Sequence, residues 1–131
     1  MIAWCTYCSA AKRNDPHPLP ALERYLDARI HDLAARAAAA GAGFLILSGE
    51  YGFLRPEEPI PWYDHLLRGS EVAALAARAA SQLERLGVAE LVYHTVDAAT
   101  DPQVVPYRET VARACALAGV GLDVEIIAPI G

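Results

Sequence analysis

The sequence predicts an α/β fold, specifically a three-layer α/β/α arrangement around a mostly parallel four-stranded sheet. Short segments rich in β-favouring residues alternate with longer segments of helical periodicity. Residues 44–47 form a continuous apolar run, which is typical of a strand buried on both faces. Glycine and proline separate the segments. This alternation implies right-handed crossovers and parallel strand pairing.

The first half of the chain contains two predicted strands and one predicted helix. Residues 2–7 form the first strand, and a proline-rich segment at residues 14–20 follows it. Residues 21–40 predict one continuous helix, which Gly41 ends. Residues 44–47 form the second strand. The apolar positions at helical spacing in the predicted helix are Leu22, Tyr25, Leu26, Ile30 and Leu33.

The second half repeats the alternation twice. Ser70 is a suitable N-cap for a helix over residues 71–86, and Gly87 is placed to end it. Residues 91–95 predict the third strand. The pair Asp101 and Pro102 predicts a helix start, with regular helix from residue 106 or 107 to residue 118. Residues 122–127 predict the fourth strand. The predicted inward positions of the first of these helices are Val72, Leu75, Ala79, Leu83 and Leu86.

Length and composition set the broad class. A chain of 131 residues with 54% apolar residues predicts a single domain, residues 1–131. The chain shows no long apolar run and no basic leader before an apolar segment, so we expect a cytoplasmic protein without a membrane partner. A net charge of −5 disfavours non-specific nucleic-acid binding but allows a small polar ligand. The odd count of three cysteines makes a disulfide framework unexpected.

Two loops that leave predicted strand ends carry most of the reactive and polar side chains. In parallel sheets, ligands bind beyond the carboxyl ends of the strands. We therefore expect the loops at residues 7–20 and 48–69 to lie side by side and to form one site. Residues 47–67 read LSGEYGFLRPEEPIPWYDHLL, which holds more proline and charge than a core element tolerates. The three prolines predict a rigid binding loop.

The start of this loop, residues 48–52, has two interpretations. The glycines permit a sharp turn or a close approach to a ligand. Glu50 is then a candidate base and Tyr51 a candidate stacking group. The alternative is a glycine turn with an exposed acid and a packed tyrosine. Arg55 either binds an anion or simply pairs with the neighbouring acids.

The segment at residues 62–65 suits a planar polar ligand, which needs stacking and edge hydrogen bonds. We expect Tyr63 to face the cleft and Trp62 to anchor the loop, since adjacent side chains of an extended segment point in opposite directions. The alternative is that both aromatic residues fasten the loop to the body, while Asp64 caps a helical turn.

Cys5 and Cys8 form a CxxC pair that does not predict a metal site. Zinc needs two more ligands in suitable geometry, and no second close pair exists in the sequence. On an extended strand the two thiols point to opposite faces. We expect Cys5 in the core, Cys8 near the site, and neither a metal nor a cofactor.

Two segments together carry a family resemblance: Cys8-Ser9-Ala10-Ala11-Lys12, and the residue 47–67 stretch. They resemble the peroxide-stress YaaA family and a group of short bacterial and phage domains with a similar loop. Tyr107-Arg108 and residues 128–131, APIG, look like the later part of that second group. The positions that match are Cys8, Ser9, Lys12, Ser48, Tyr51, Gly52, Arg55, Pro61 and Tyr63.

The resemblance implies a uracil-DNA-glycosylase-like fold with a pocket for a nucleobase, a nucleoside or a related group. The chain departs from the glycosylases because it has no acid and histidine motif placed to activate water. Three functions remain open: an enzyme acting on an N-glycosidic bond, a non-catalytic ligand sensor involved in stress response, and a DNA-binding protein. The acidic pI of about 5.3 disfavours the third.

Under the enzyme hypothesis, Lys12 neutralises negative charge, the tyrosines hold the ring, and Glu50 or Asp64 acts as base or orients water. The sequence does not predict an oligomeric state. The predicted catalytic residues are Lys12, Glu50 and Asp64, and the predicted ligand-binding residues are Cys8, Ser9, Ser48, Gly49, Tyr51, Gly52, Arg55, Tyr63 and His65.

Overall fold

The computed structural model describes residues 1–128, so all of the predicted family-like ending at residues 128–131 except its first residue lies outside the described part. The fold is mixed α/β. The strands are β1 (Ile2–Tyr7), β2 (Leu19–Pro20), β3 (Gly43–Ser48), β4 (Gly52–Leu54), β5 (Pro59–Ile60), β6 (Glu90–Thr95) and β7 (Gly121–Ile126). The helices are α1 (Ala21–Arg24), α2 (Ala28–Ala39), α3 (Val72–Leu86) and α4 (Val105–Ala118).

The main sheet has five strands in the order β4-β3-β1-β6-β7. The four predicted strands, β1, β3, β6 and β7, pair in parallel, which confirms the mostly parallel sheet. β1 pairs directly with β3, and Tyr7 lies opposite Leu47. The loops after these two strands therefore leave the same edge of the sheet, as the sequence predicts.

The fifth strand, β4, was not predicted and pairs antiparallel with β3. The tight turn before it depends on Gly52, which has a φ of 76°. The side chain of Gln82 holds the turn from α3, because its amide nitrogen donates to the Tyr51 carbonyl at 2.9 Å and its oxygen accepts from the Phe53 amide at 2.7 Å. A side chain at position 52 would collide with Gln82. The turn and the close Gln82 side chain therefore account for a glycine at position 52.

The predicted helix over residues 21–40 is interrupted. Tyr25 is extended, with φ of −84° and ψ of 131°, and forms an antiparallel bridge with Lys12. The amide of Leu26 donates to the Ala11 carbonyl at 3.0 Å. Asp27 then caps a new helix by accepting from the Arg29 amide. Leu26, predicted to face inward, is 53% exposed because it belongs to this extended link.

The two loops at the sheet edge are fastened to each other. β2, from the first loop, pairs antiparallel with β5, from the second. Arg24 has no exposed surface, and its guanidinium donates to four backbone carbonyls at distances from 2.7 to 3.2 Å. Three of the carbonyls belong to the first loop and the fourth belongs to Ile60. Arg24 therefore acts as a buried bracket between the loops.

Helices α3 and α4 agree with their predictions except at their starts. A 3-10 turn over Gly69–Glu71 precedes α3, so the predicted cap Ser70 lies inside this turn, and the N-cap position of α3 is Glu71. Asp101 caps a 3-10 turn before α4 by accepting from the Gln103 amide. Gly87 and Gly119 end the two helices in the left-handed conformation.

Helix α2 packs on β1 and β3, while α3 and α4 pack against each other, with α3 also contacting β4 and α4 contacting β6 and β7. No helix within residues 1–128 combines the length and the apolar character needed to cross a bilayer.

Candidate functional site

A cavity of about 320 Å³ lies at the carboxyl end of β1. Its walls come from four segments of the chain. The lining residues are Tyr7, Cys8, Ser9, Ala10, Ala11 and Lys12 after β1, Asp27 and Arg29 at the start of α2, Asp64, His65 and Leu66 before α3, and Asp101, Gln103, Val104 and Tyr107 at the start of α4. The volume lies within the range of small-molecule sites.

The structure brings only part of the predicted site to this cavity. Cys8, Ser9, Lys12, Asp64 and His65 line it. The other predicted residues do not: Ser48, Gly49, Glu50, Tyr51, Gly52, Arg55 and Tyr63. The loop after β1 therefore contributes as expected. The loop after β3 contributes through its end rather than through its glycine-rich start.

The expected orientation of Tyr63 and Trp62 is wrong. Tyr63 is 8% exposed, and its hydroxyl lies 2.8 Å from the Ser48 Oγ and 2.5 Å from the Tyr25 hydroxyl. Its ring meets the rings of Tyr25 and Tyr51 edge to face. Trp62 is 53% exposed instead. The two side chains do point in opposite directions, as predicted. However, Tyr63 is the inward residue, because its hydroxyl has hydrogen-bond partners in the protein interior.

The hydrogen bonds of Ser48 have a definite direction. Its Oγ accepts from the amides of Glu50 and Tyr51, both at 3.1 Å. Both acceptor positions are then used, so the Ser48 hydroxyl donates to Tyr63 and Tyr63 donates to Tyr25. Burial raises the pKa of both phenols, which keeps them neutral. Ser48 and Tyr63 therefore form a clasp that fixes the loop.

Glu50 is engaged by a histidine and is not free to act as a base in the cavity. Its carboxylate contacts the Nδ1 of His65. The Nε2 of the same ring lies 2.8 Å from a carboxylate oxygen of Glu71. The hydrogen bond to Glu50, followed by the contact with Glu71, raises the pKa of His65. The imidazolium form, with both ring nitrogens donating, satisfies both carboxylates.

We expect the contribution of His65 to the free energy of unfolding to fall as pH rises from near neutral. Because the folded pKa of His65 is raised, its contribution is fully present below the unfolded pKa of about 6.5. That contribution is lost as pH rises through the folded pKa. Urea unfolding between about pH 6 and 9 measures the slope, which His65→Gln should flatten. The control His17→Gln changes an exposed histidine and should keep the slope. Equal slopes in wild type and His65→Gln would contradict the assignment.

Gly49 and Arg55 lie outside the cavity, and their contacts are with other parts of the protein. A Cβ at position 49 would come within 3.2 Å of both the Leu67 side chain and the Tyr107 hydroxyl, so the glycine permits close packing. Arg55 is exposed and lies 3.3 Å from the carboxylate of Glu58 and 3.6 Å from that of Glu57. Of the two interpretations of Arg55, the structure therefore agrees with the pairing to neighbouring acids.

Arg29 is a main component of the cavity that the sequence did not indicate. It is 9% exposed, and its guanidinium lies 3.7 Å from the centroid of the Tyr7 ring. It contacts the Thr6 hydroxyl, donates to the Tyr7 carbonyl at 3.0 Å and pairs with Asp27 at 3.3 Å. The sequence does contain a signal, because Asp27 is a suitable N-cap two positions before Arg29. The prediction of one continuous helix over residues 21–40 left no helix start at this position.

Tyr7 and Tyr107 supply the aromatic surface of the cavity. Their ring centroids are 6.1 Å apart. The hydroxyl of Tyr107 accepts from the Leu67 amide at 3.2 Å, and the Cys8 thiol lies 3.9 Å from the same hydroxyl. Tyr107 was singled out only through the resemblance, and Tyr7 only as a strand end. The polar residues Asp101 and Gln103 were also missed as cavity residues.

Three lining side chains, Lys12, Asp64 and Asp101, carry charges without an ion-pair partner in the described part of the chain. Asp64 has no cationic side chain within 4.0 Å there, and neither Asp64 nor Lys12 forms a salt bridge within residues 1–128. By contrast, Arg29 and His65 are neutralised by acids. Within the same residues, no group of three or more acidic, histidine or cysteine side chains could hold a metal ion.

Comparisons of the chain with protein-family models, with curated proteins and with solved structures each gave no match. The resemblance to the YaaA family therefore stays a prediction that depends on the residues named above.

Proposed function

We propose that the protein binds a small polar ligand with a planar ring, of the nucleobase or nucleoside kind, in the cavity at the end of β1. The observation that carries the proposal is the composition of the cavity wall. Half-buried Tyr7 offers aromatic surface for a ring, with the largely buried Tyr107 beside it, and Asp64 and Gln103 offer acceptors and donors for the polar edge of the ring. A mostly apolar cavity with a few polar groups is the usual form of a small-molecule site.

We also propose that the helices cover both faces of the sheet, which gives a three-layer α/β/α arrangement. Trp4 and Cys5 are successive residues of β1 and point to opposite faces of the sheet. Arg36 of α2 lies above the Trp4 ring, and Cys115 of α4 is buried in the same core as Cys5. These contacts support a three-layer α/β/α arrangement of the uracil-DNA-glycosylase-like kind. The ligand class that the resemblance implies supports the same proposal.

A panel of nucleobases and nucleosides tests ligand binding. A ligand that binds only the folded state raises the melting temperature, and the increase grows with the logarithm of the ligand concentration once that concentration exceeds Kd. We expect at least one member to raise it, and Tyr107→Leu to weaken that effect. The control is Trp62→Leu, which replaces an exposed aromatic residue outside the cavity and should leave the ligand effect unchanged. Failure of every member to change the melting temperature would contradict the proposal.

A second function, hydrolysis of an N-glycosidic bond, depends on Asp64. The carboxylate lines the cavity and has no ion-pair partner in residues 1–128, so it is available to orient a water molecule. A nucleoside that binds should then be cleaved to a free base and a sugar, at a rate that Asp64→Asn lowers by about a hundredfold or more. Binding without turnover would instead identify a non-catalytic, ligand-sensing protein.

A further inference from the structure

We propose that residues 9–12, the loop after β1, form a subsite for the phosphate group of the ligand. The ligand class is then a nucleotide rather than a nucleoside. The choice of a nucleotide rests on the proposed function. The anion subsite itself depends on separate observations and is testable with inorganic phosphate alone.

The first observation is the unpaired charge of Lys12, the single lysine of the chain. Its ammonium has one acceptor, the Ala10 carbonyl, at 3.5 Å, which is the outer limit of a hydrogen bond. The next residue, Arg13, makes a two-point contact with Asp15 at 2.9 and 3.0 Å. Lys12 therefore retains donors for a ligand at the cavity wall, while its neighbour does not.

The second observation is that the position of this ammonium is fixed. Its Nζ lies 4.5 Å from the centroid of the buried Tyr63 ring, a favourable cation–π distance. The backbone of Lys12 bridges to Tyr25, and the next residue, Arg13, bonds to Arg24 through both its amide and its carbonyl. An ammonium that is already ordered loses less conformational entropy on binding an anion. Tyr63 thus positions the Lys12 ammonium, although Tyr63 itself does not line the cavity.

The third observation concerns the backbone amides of Ser9, Ala10 and Ala11. No acceptor for these three N–H groups is found within residues 1–128. The turn is held by the Ser9 hydroxyl, which donates to the Ala11 carbonyl at 2.8 Å. Successive unpaired amides in a turn form a concave site for anions. A phosphate has enough oxygens to accept from several amides and from an ammonium together.

The other cationic side chains of the cavity, Arg29 and His65, are already paired and have fewer donors available for an anion. The guanidinium of Arg29 is occupied by Asp27, by Thr6 and by two backbone carbonyls. His65 lies between two carboxylates. The free positive charge of the cavity is therefore concentrated at the loop formed by residues 9–12, whereas the whole chain carries a net charge of −5.

Calorimetric titration of nucleosides, the matching 5′-monophosphates and inorganic phosphate tests the subsite. We expect the monophosphate to bind about tenfold more tightly than its nucleoside, or better, because charge-assisted hydrogen bonds are gained. Lys12→Ala should remove this advantage, and Arg13→Ala, which makes the same change in net charge outside the cavity, should keep it. Phosphate should also shift the amide NMR signals of Ser9, Ala10 and Ala11 in the wild type.

The outcomes separate the two proposals. Phosphate binding that depends on Lys12, without any binding of nucleosides or nucleotides, supports the subsite and overturns the proposed ligand class. Nucleoside binding to which a phosphate group adds nothing leaves the proposed function in place and overturns the subsite. Equal phosphate affinity in wild type and Lys12→Ala also overturns it, as does an unchanged set of amide signals.

Discussion

Replacing Tyr63 by alanine is expected to lower the free energy of unfolding by about 4 kcal/mol, because a buried aromatic side chain leaves a cavity that the core cannot refill. Tyr63 is 8% exposed and packs edge to face against two other tyrosines. Its loss also leaves the Ser48 and Tyr25 hydroxyls without their shared partner. Denaturant unfolding gives the value directly.

Two further variants separate packing from hydrogen bonding at this position. Tyr63→Phe keeps the ring and should cost about 1–3 kcal/mol, the usual cost of leaving buried hydroxyls unpaired. Trp62→Ala should change stability by no more than about 0.5 kcal/mol, since the side chain is more than half exposed. A larger loss for Trp62→Ala than for Tyr63→Ala would show that the residues have the opposite orientation.

Replacing Arg24 by methionine should cost about 3 kcal/mol or more. The side chain is completely buried, and four backbone carbonyls depend on it for a donor. Methionine fills similar space but donates no hydrogen bond, so one buried and three partly buried carbonyls lose this donor. Because three of them lie in the first loop, we also expect faster hydrogen exchange at residues 13–17, measured by NMR or mass spectrometry.

The matched control for this variant is Arg13→Met. Arg13 pairs with Asp15 at the surface, where an ion pair contributes about 1 kcal/mol or less. The same substitution eleven positions earlier in the chain should therefore have a small effect. A similar small loss for both variants would mean that water replaces the Arg24 guanidinium in the folded state. Arg24 would then not be the bracket between the loops.

The parallel sheet could be predicted because its signals are local. The buried run at residues 44–47 has one favourable environment, and the glycines at 87 and 119 end their helices by adopting a backbone conformation that other residues avoid. The adjacency of β1 and β3 followed from the rules of parallel connections. These features together correctly indicated which edge of the sheet carries the cavity.

The break in the predicted first helix illustrates the limit of periodicity. Tyr25 and Leu26 continue the helical spacing, so their local pattern gives no reason to stop. Tyr25 instead forms a bridge with Lys12, thirteen positions earlier, and the Leu26 amide donates to the Ala11 carbonyl, fifteen positions earlier. A pairing between distant segments outweighs a helix preference of less than about 1 kcal/mol per residue.

The site was predicted only in part for a similar reason. Cys8, Ser9 and Lys12 follow directly from the end of β1, and chain connectivity alone places them at the cavity. Asp64 and His65 were identified by residue type, although His65 has carboxylate partners on both sides. Arg29 and Gln103 reach the cavity from the starts of helices, which only the packing of α2 and α4 brings to the end of the sheet.

By itself, the sequence determined the class of fold, the pairing of β1 with β3 and the edge at which the loops meet, since these depend on periodicity and on chain connectivity. Only the tertiary structure decided that Tyr63 is buried and Trp62 exposed, that Glu50 pairs with His65, and that Lys12 keeps a free charge. The physical reason is that a polar group's role depends on which partners surround it once the chain is folded. Those partners come from segments that no local pattern connects.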